Sequence, residues 1–134
     1  MSSAPHCFPV RVYYEDTDAG GIVYHAAYLH FAERARTEML RARGFDHVGL
    51  QREHGLLFAV RRCTIEFMAP ARLDDLLMVE TRPLRLGGAR MVLEQKVIRD
   101  SAVLVVLEIE LAVLGHQDLR PRRLPEAVRV RFVA

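Results

Sequence analysis

Residues 16–25 place two carboxylates, two glycines and a histidine at the entrance to a long helical segment. The string is DTDAGGIVYH, in which Asp18 lies seven residues before His25. A helix begins with free N–H groups and a positive dipole end, and both favour developing negative charge. Attack on a carbonyl requires a base or nucleophile beside donors of this kind, which hold the oxyanion. The pattern therefore predicts a catalytic turn.

The individual residues take different roles in this turn. Asp18 is the candidate base or nucleophile, although an Asp in such a context also commonly forms a turn or caps a helix. Asp16 is the better candidate for a structural turn former and is left outside the catalytic set. His25 is a candidate for orienting the substrate or handling a proton. Gly20 and Gly21 either let a substrate carbonyl approach the backbone closely or only close a tight turn.

The turn is predicted to lie between a strand and an amphipathic helix. Residues Phe8–Tyr14 alternate between apolar and polar positions and predict a strand. Tyr14 on such a strand has two possible roles, packing in the core or a function in the site. A helix is predicted from about Ala26 to Arg43, and Gly44 favours its end there. Its apolar stripe consists of Tyr28, Phe31, Ala35, Met39 and Ala42.

The rest of the chain predicts a short helix and then strands. Asp46–His54 is the predicted short helix, and the tail Pro121–Ala134 predicts a last strand or a short turn of helix starting at Pro125. Gly-Gly and Asp-Ser pairs between the later runs favour antiparallel hairpins. Packing one helix on such a sheet gives an α+β domain, and its uncovered apolar faces predict a homo-oligomer. The predicted strands are Leu56–Met68, Leu76–Leu86, Ala89–Arg99 and Val103–Leu114.

Length and composition narrow the function classes. The 134 residues predict a single domain, 1–134, of which residues 1–8 are expected to be flexible. The net charge of +2 comes without a basic run interleaved with aromatics, so no nucleic-acid partner is predicted. His25 and His30 lie on different helix faces, so no zinc pair is expected. We expect no metal, cofactor, signal peptide or transmembrane segment, and a cytoplasmic location.

The string YYEDTDAGGIVYHAAYLHFAERARTEML, together with the later FMAPARLDD, resembles a known family. It is similar to the YbgC-type acyl-CoA thioesterases associated with the Tol-Pal system of Gram-negative bacteria. These belong to the 4-hydroxybenzoyl-CoA thioesterase branch of the hotdog-fold superfamily. The resemblance implies a long central helix wrapped by a curved antiparallel sheet of about five strands. It also implies dimers with active sites at the subunit interface, which often pair into tetramers.

The resemblance also implies roles for particular residues. Asp18 matches the family's catalytic carboxylate, as nucleophile or general base, and Tyr14 and His25 match further functional positions. The amide of His25 matches the donor that polarises the thioester carbonyl. Substrate contacts are expected from the neighbouring residues of the same motif, Gly21, Val23 and Tyr24. The family's basic contacts to CoA phosphates vary too much to assign to a particular Arg; the densest basic run here, residues 120–123 (RPRR), is one candidate, and ordinary solvated surface is the alternative.

The predicted function is hydrolysis of acyl-CoA thioesters to a free acid and CoA. Two alternatives stay open at this point: an acyl-thioester hydratase or dehydratase of the same fold with His25 as its base, and a non-enzymatic module that binds acyl-CoA or acyl carrier protein. The sequence also leaves open the acyl chain length, the choice between CoA and acyl carrier protein as donor, the choice between dimer and tetramer, and peripheral attachment to the inner membrane.

Overall fold

Five strands and three α-helices make up the part of the chain that the computed structural model describes, residues 4–133. From the long helix to the last strand, every predicted bound lies within one residue of the observed one. In chain order the elements are β1 (His6–Arg11), α1 (Ala27–Ala42), α2 (His47–His54), β2 (Leu56–Phe67), β3 (Leu76–Leu86), β4 (Arg90–Arg99), β5 (Ala102–Gly115) and α3 (Glu126–Val133).

The strands form one antiparallel sheet in the order β1-β3-β4-β5-β2. The predicted hairpins at Gly87-Gly88 and Asp100-Ser101 are confirmed, and the second has two residues with positive φ, Asp100 at 50° and Ser101 at 73°. Such a two-residue turn matches the twist of the strands that it joins. Because β3, β4 and β5 lie inside the sheet, β1 and β2 form its two edges.

Helix α1 lies across the sheet and buries the stripe that its sequence predicts. Phe31, Ala32 and Ala35 have no exposed surface, and the two alanines allow close approach of the helix backbone to the strands. Ala42, at the end of the predicted stripe, is exposed instead. Gly44, with φ of 92°, follows the helix end as predicted. The α+β fold with one long helix against a five-stranded sheet is therefore confirmed.

Helix α2 and the tail also fold as the sequence allows. The Asp46 side chain caps α2, because its Oδ1 accepts the N–H of Gly49 at 2.6 Å. The tail forms the helical alternative, α3, immediately after Pro125. None of the helices in residues 4–133 is long and apolar enough to cross a membrane.

The first strand departs from its predicted bounds. It begins at His6, so the expectation of a flexible segment 1–8 does not hold for residues 6–8, which pair with β3, while residues 1–3 lie outside the described range. It also ends at Arg11, and the chain then forms a 3-10 turn over Tyr14–Asp16. Tyr14 therefore leaves the sheet, and 83% of its surface is exposed.

A chain of buried polar groups connects α1 to the sheet. Gln95 on β4 and Thr81 on β3 have no exposed surface. The Gln95 amide nitrogen donates to the carbonyl of Ala32 and to Oγ1 of Thr81, both at 2.9 Å. Its oxygen accepts a hydrogen bond from Arg36 Nη1 at 3.0 Å. Burial lowers the pKa of Arg36, because it removes water from the charged guanidinium. The hydrogen bond to Gln95 replaces part of that lost hydration.

Candidate active site

The turn after the 3-10 segment is closed by its own backbone. The N–H of Asp18 donates to the Ile22 carbonyl at 2.9 Å, and the N–H of Gly21 donates back to the Asp18 carbonyl at 3.1 Å. Gly21 has a φ of 81°, which residues with a Cβ rarely adopt. The Asp18 carboxylate accepts the N–H of Gly20 on Oδ1 at 2.8 Å, and its Oδ2 has no hydrogen-bond partner within residues 4–133. One carboxylate oxygen is therefore free to act on a bound molecule.

Asp16 holds the two ends of this turn together, as a structural residue should. Its Oδ2 accepts the N–H of Tyr13 at 2.8 Å, and its carbonyl accepts the N–H of Tyr24 at the same distance. Asp16 therefore makes hydrogen bonds to the backbone before and after Asp18 in the sequence. The prediction that Asp16 forms the turn is confirmed.

The start of α1 leaves backbone donors free. Among residues 4–133 the N–H groups of His25 and Ala26 have no acceptor. The N-cap residue is Ala26, which has no capping side chain, and the first turn of the helix has no acidic residue. The positive end of the helix dipole therefore remains available for a developing oxyanion. This arrangement supplies the donors that the sequence predicts.

Asp18 and His25 open onto one hollow of about 360 Å³. Its walls are mostly apolar, which suits a hydrocarbon group lying beside a polar reacting end. The His25 side chain is exposed, and its ring lies against that of Tyr24 with centroids 4.4 Å apart. The hollow is lined by Asp18, Ile22, Val23, His25, Tyr28, Phe67, Met68, Ala69 and Pro70.

Three other predicted site residues lie outside this lining. Tyr14 lines a separate surface hollow with Tyr13 and Leu73, and Tyr24 faces another one on the far side of the turn. Gly21 shapes the turn without lining the hollow. Within one chain the structure therefore brings together Asp18, Val23 and His25, and the roles of the other three remain predictions.

The opposite wall of the hollow was not assigned to the site from the sequence. It consists of Tyr28, which the helical pattern assigned to the core, and of the residues that follow β2. The Tyr28 hydroxyl accepts the N–H of Ala71 at 3.0 Å, and its ring meets Phe67 edge-on at 5.7 Å. Burial raises the pKa of Tyr28, so the phenol stays neutral. The FMAP string was a signal for this wall, since an apolar strand end followed by Pro marks a fixed bend.

An ion pair braces the loop behind that wall. Arg99 Nη1 lies 2.7 Å from Oδ2 of Asp75, and the same oxygen accepts the N–H of Arg72 at 2.8 Å. Burial alone would raise the pKa of Asp75, but the hydrogen bonds from Arg72 and Arg99 hold it below its usual range. Asp75 is therefore ionised at neutral pH. The braced loop also contacts the segment that follows Asp18, because the Ala71 carbonyl accepts the N–H of Val23 at 2.9 Å and Arg72 forms a β-bridge with Ile22.

A smaller cavity of about 150 Å³ lies further along α1, between the helix and the start of β2. Phe58, Met91 and Leu93 are among its apolar walls, and Glu33 and Arg36 also line it. It is more enclosed than the Asp18 hollow, but it lies along the middle of the helix, where the backbone N–H groups are bonded within α1. The free backbone donor at His25 therefore belongs to the Asp18 hollow and not to this cavity.

Replacing Tyr28 by Phe should destabilise the protein. The change leaves the N–H of Ala71 without its acceptor, and Ala71 has no exposed surface. We expect the free energy of unfolding in urea to fall by about 1–3 kcal/mol. Tyr24→Phe removes the hydroxyl of a half-exposed ring and should change stability by less than about 0.5 kcal/mol. Equal stability of the two variants would contradict the assigned role of the hydroxyl.

Comparison with known proteins places these features in a family. The model of the thioesterase superfamily matches residues 20–106, which include α1 and every residue that lines the hollow except Asp18. The chain is 46% identical to the acyl-CoA thioesterase YbgC of Haemophilus influenzae, covering 93% of this chain and 92% of that protein. It is 44% identical to the acyl-CoA thioester hydrolase YbgC of Escherichia coli, with 98% of each chain covered. A solved "Probable Thioesterase" from Bartonella henselae superposes with a TM-score of 0.85 at 44% identity, over 91% of this chain and 100% of that one.

Proposed function

The chain belongs to the thioesterase superfamily, and from that premise we propose that it hydrolyses acyl-CoA thioesters to a free acid and CoA. The observation that carries this proposal is that Asp18, which has a free carboxylate oxygen, and His25, which has a free N–H at the entrance to α1, line one apolar hollow. Relatives at 44–46% identity over nearly the whole chain bear the names acyl-CoA thioesterase and acyl-CoA thioester hydrolase, which supports the same activity.

The reaction follows from this geometry. The acyl group lies in the hollow, and the thioester carbonyl oxygen accepts a hydrogen bond from the free N–H of His25. Asp18 either attacks the carbonyl carbon directly, forming an anhydride that water then opens, or takes a proton from the water that attacks. The C–S bond breaks and its electron pair leaves on sulfur. A thiol has a pKa near 8.5, so the thiolate leaves without a strong general acid.

The remaining site residues have supporting roles in this proposal. His25 orients the substrate or handles a proton at the rim of the hollow. Val23 contacts the acyl group, while Gly21 and Tyr24 contact the substrate from the turn. Tyr14 acts from the surface, and its 83% exposure leaves it accessible to a substrate arm or to another subunit. The donor is CoA or acyl carrier protein, and we place the reaction in the cytoplasm or at the inner face of the inner membrane.

A second copy of the chain completes the assembly. Strand β2 is a twelve-residue edge, and 51% of Val60 and 48% of Phe67 are exposed on it. An edge with unpaired backbone groups and apolar side chains favours pairing with another strand. We place a twofold pairing of β2 with its own copy there, giving a homodimer, and two such dimers form the tetramer that the resemblance implies.

A panel of acyl-CoA substrates tests the proposed function. We expect the purified chain to release free thiol from saturated acyl-CoA, and the graded chain lengths will show which acyl group fits the hollow. An enoyl-CoA substrate separates the hydratase alternative, because hydration removes the absorbance of the conjugated double bond. If no acyl-CoA is hydrolysed but one is bound, the chain is a binding module instead.

A further inference from the structure

Tyr28 contributes a buried hydroxyl to the wall of the Asp18 hollow. Only 2% of this residue is exposed, and it lines the hollow together with Phe67, which its ring contacts. The hydroxyl oxygen accepts the N–H of Ala71 at 3.0 Å, and Ala71 directly follows Pro70, another residue of the lining. The hydroxyl therefore lies at the wall of the hollow and is shielded from bulk water.

The hydroxyl of Tyr28 has an unused donor. A phenol accepts hydrogen bonds on its oxygen and donates one through its proton. Among residues 4–133 the Tyr28 oxygen accepts the N–H of Ala71, but no group accepts the Tyr28 proton. A buried donor without an acceptor costs about 1–3 kcal/mol, so this proton favours an acceptor that the chain itself does not supply. An oxygen atom of a molecule bound in the hollow is such an acceptor.

The phenol of Tyr28 keeps its proton at neutral pH. Burial raises its pKa, and this effect exceeds the opposite effect of the hydrogen bond from Ala71. A protonated phenol does not act as a base, but it donates a strong hydrogen bond to an oxygen that carries negative charge. Tyr28 is therefore suited to hold an anion and not to activate water.

The proposed reaction creates an anion of this kind in the hollow. Attack on the thioester carbonyl carbon places a negative charge on the carbonyl oxygen, and the free N–H of His25 supplies one donor to it. Oxyanions of acyl transfer are commonly held by several donors, and a tyrosine hydroxyl is among the groups that serve. Tyr28 lies three residues after His25, and both residues line the hollow.

We propose that the Tyr28 hydroxyl is a second oxyanion donor, which together with the His25 N–H holds the negatively charged oxygen of the tetrahedral intermediate. This inference rests on the proposed function and deepens it at the same site. The proton stays on the phenol throughout. When the intermediate collapses, the electron pair on the oxygen re-forms the carbonyl double bond, the C–S bond breaks and the thiolate leaves. Tyr28 is thus a catalytic residue as well as the acceptor for Ala71.

The first experiment compares Tyr28→Phe with the parent chain in acyl-CoA hydrolysis. Phe keeps the ring beside Phe67 and removes the donor, so we expect kcat to fall on the order of tenfold to a hundredfold, with KM within about threefold. Assays run at a temperature where circular dichroism shows the variant to be folded separate this loss from its lower stability. Tyr13→Phe, at a largely exposed ring outside the lining, is the matched control and should keep kcat within about twofold.

Two results of this comparison would overturn the inference. One is an unchanged kcat in Tyr28→Phe. The other is a raised KM with unchanged kcat, because the hydroxyl would then bind the substrate equally well before and during the reaction. Failure of the proposed function looks different, since the parent chain would then hydrolyse no acyl-CoA.

A second experiment separates the donor role from the contact with Ala71, and it remains decisive if Tyr28→Phe does not fold. Tyr28 is replaced by difluorotyrosine, fluorinated at both positions beside the hydroxyl, which lowers the pKa of the phenol. A phenolate still accepts the N–H of Ala71 but has no proton to donate. We expect kcat to fall as the pH rises through this lowered pKa, which phenolate absorbance reports in the same samples. The parent should keep its kcat over that range, because its phenol stays protonated.

If the kcat profiles of the two proteins coincide while the absorbance shows that the fluorinated phenol ionises, the inference is wrong. The hydroxyl would then serve only as the acceptor for Ala71.

Discussion

Replacing Asp18 by Asn should lower kcat for acyl-CoA hydrolysis on the order of a hundredfold or more. The substituted side chain retains an oxygen that accepts the N–H of Gly20, as Oδ1 does now at 2.8 Å, so the turn keeps its shape. What disappears is the negative charge and the basicity of the free Oδ2. An amide neither takes a proton from water nor attacks the thioester effectively. Thiol release under saturating substrate is the measurement.

Asp16→Asn is the matched control for this substitution. Asp16 belongs to the same DTD string, and its carboxylate accepts a backbone N–H at 2.8 Å, which the amide oxygen also accepts. Because this residue holds the turn without facing the hollow, we expect kcat within about threefold of the parent. An Asp18→Asn protein that released CoA at the parent rate would exclude Asp18 as base or nucleophile. A comparable loss in both variants would mean that the turn's geometry, and not one carboxylate, limits the reaction.

Replacing Gln95 by Leu should cost about 2–4 kcal/mol of folding free energy. Leu is apolar, and it leaves the guanidinium of Arg36 without the oxygen that now accepts it at 3.0 Å. It also removes the donor to Oγ1 of Thr81, which has no exposed surface. The free energy of unfolding in urea, compared at one fixed protein concentration because an oligomer's stability depends on it, is the measurement.

Two further variants distinguish the loss of the buried hydrogen bonds of Gln95 from a general effect of substitution in β4. Lys96→Met changes the next residue on the opposite face of the strand and should cost less than about 1 kcal/mol. Arg36→Met combined with Gln95→Leu removes the unsatisfied charge together with its partner, and it should recover part of the loss. If the double variant is less stable than Gln95→Leu alone, Arg36 stabilises the fold through contacts other than Gln95.

Local signals predicted most of the fold. The three-and-four spacing of apolar residues along α1, the capping Asp46 before α2 and the Asp-Ser pair between β4 and β5 each specify structure within a few residues of themselves. The family and its acyl-CoA thioesterase activity were also predicted from two strings of residues and are confirmed by the comparisons. The predicted bounds of β1 were wrong because the Asp16 carboxylate accepts the N–H of Tyr13 and stabilises a turn there. The alternation of apolar and polar residues does not reveal this turn.

The candidate site could be predicted only in part. Asp18 and His25 are close in sequence, and both line the hollow. Phe67 and Met68 lie more than forty residues away and reach it only because β2 pairs with β5 along its whole length. Tyr28 was assigned to the core by helical spacing, and it is indeed buried, yet one face of it forms the wall of the hollow.

The sequence by itself determined the turn around Asp18, the helix that follows it and the family of the protein, because hydrogen bonding and periodicity act between neighbouring residues. Only the tertiary structure decided which side chains share a hollow, and that Tyr14 and Tyr24 line other hollows instead. These arrangements depend on strand order and on loops crossing strands. Burial of apolar surface drives that packing, and it depends on contacts between residues that are distant in the chain.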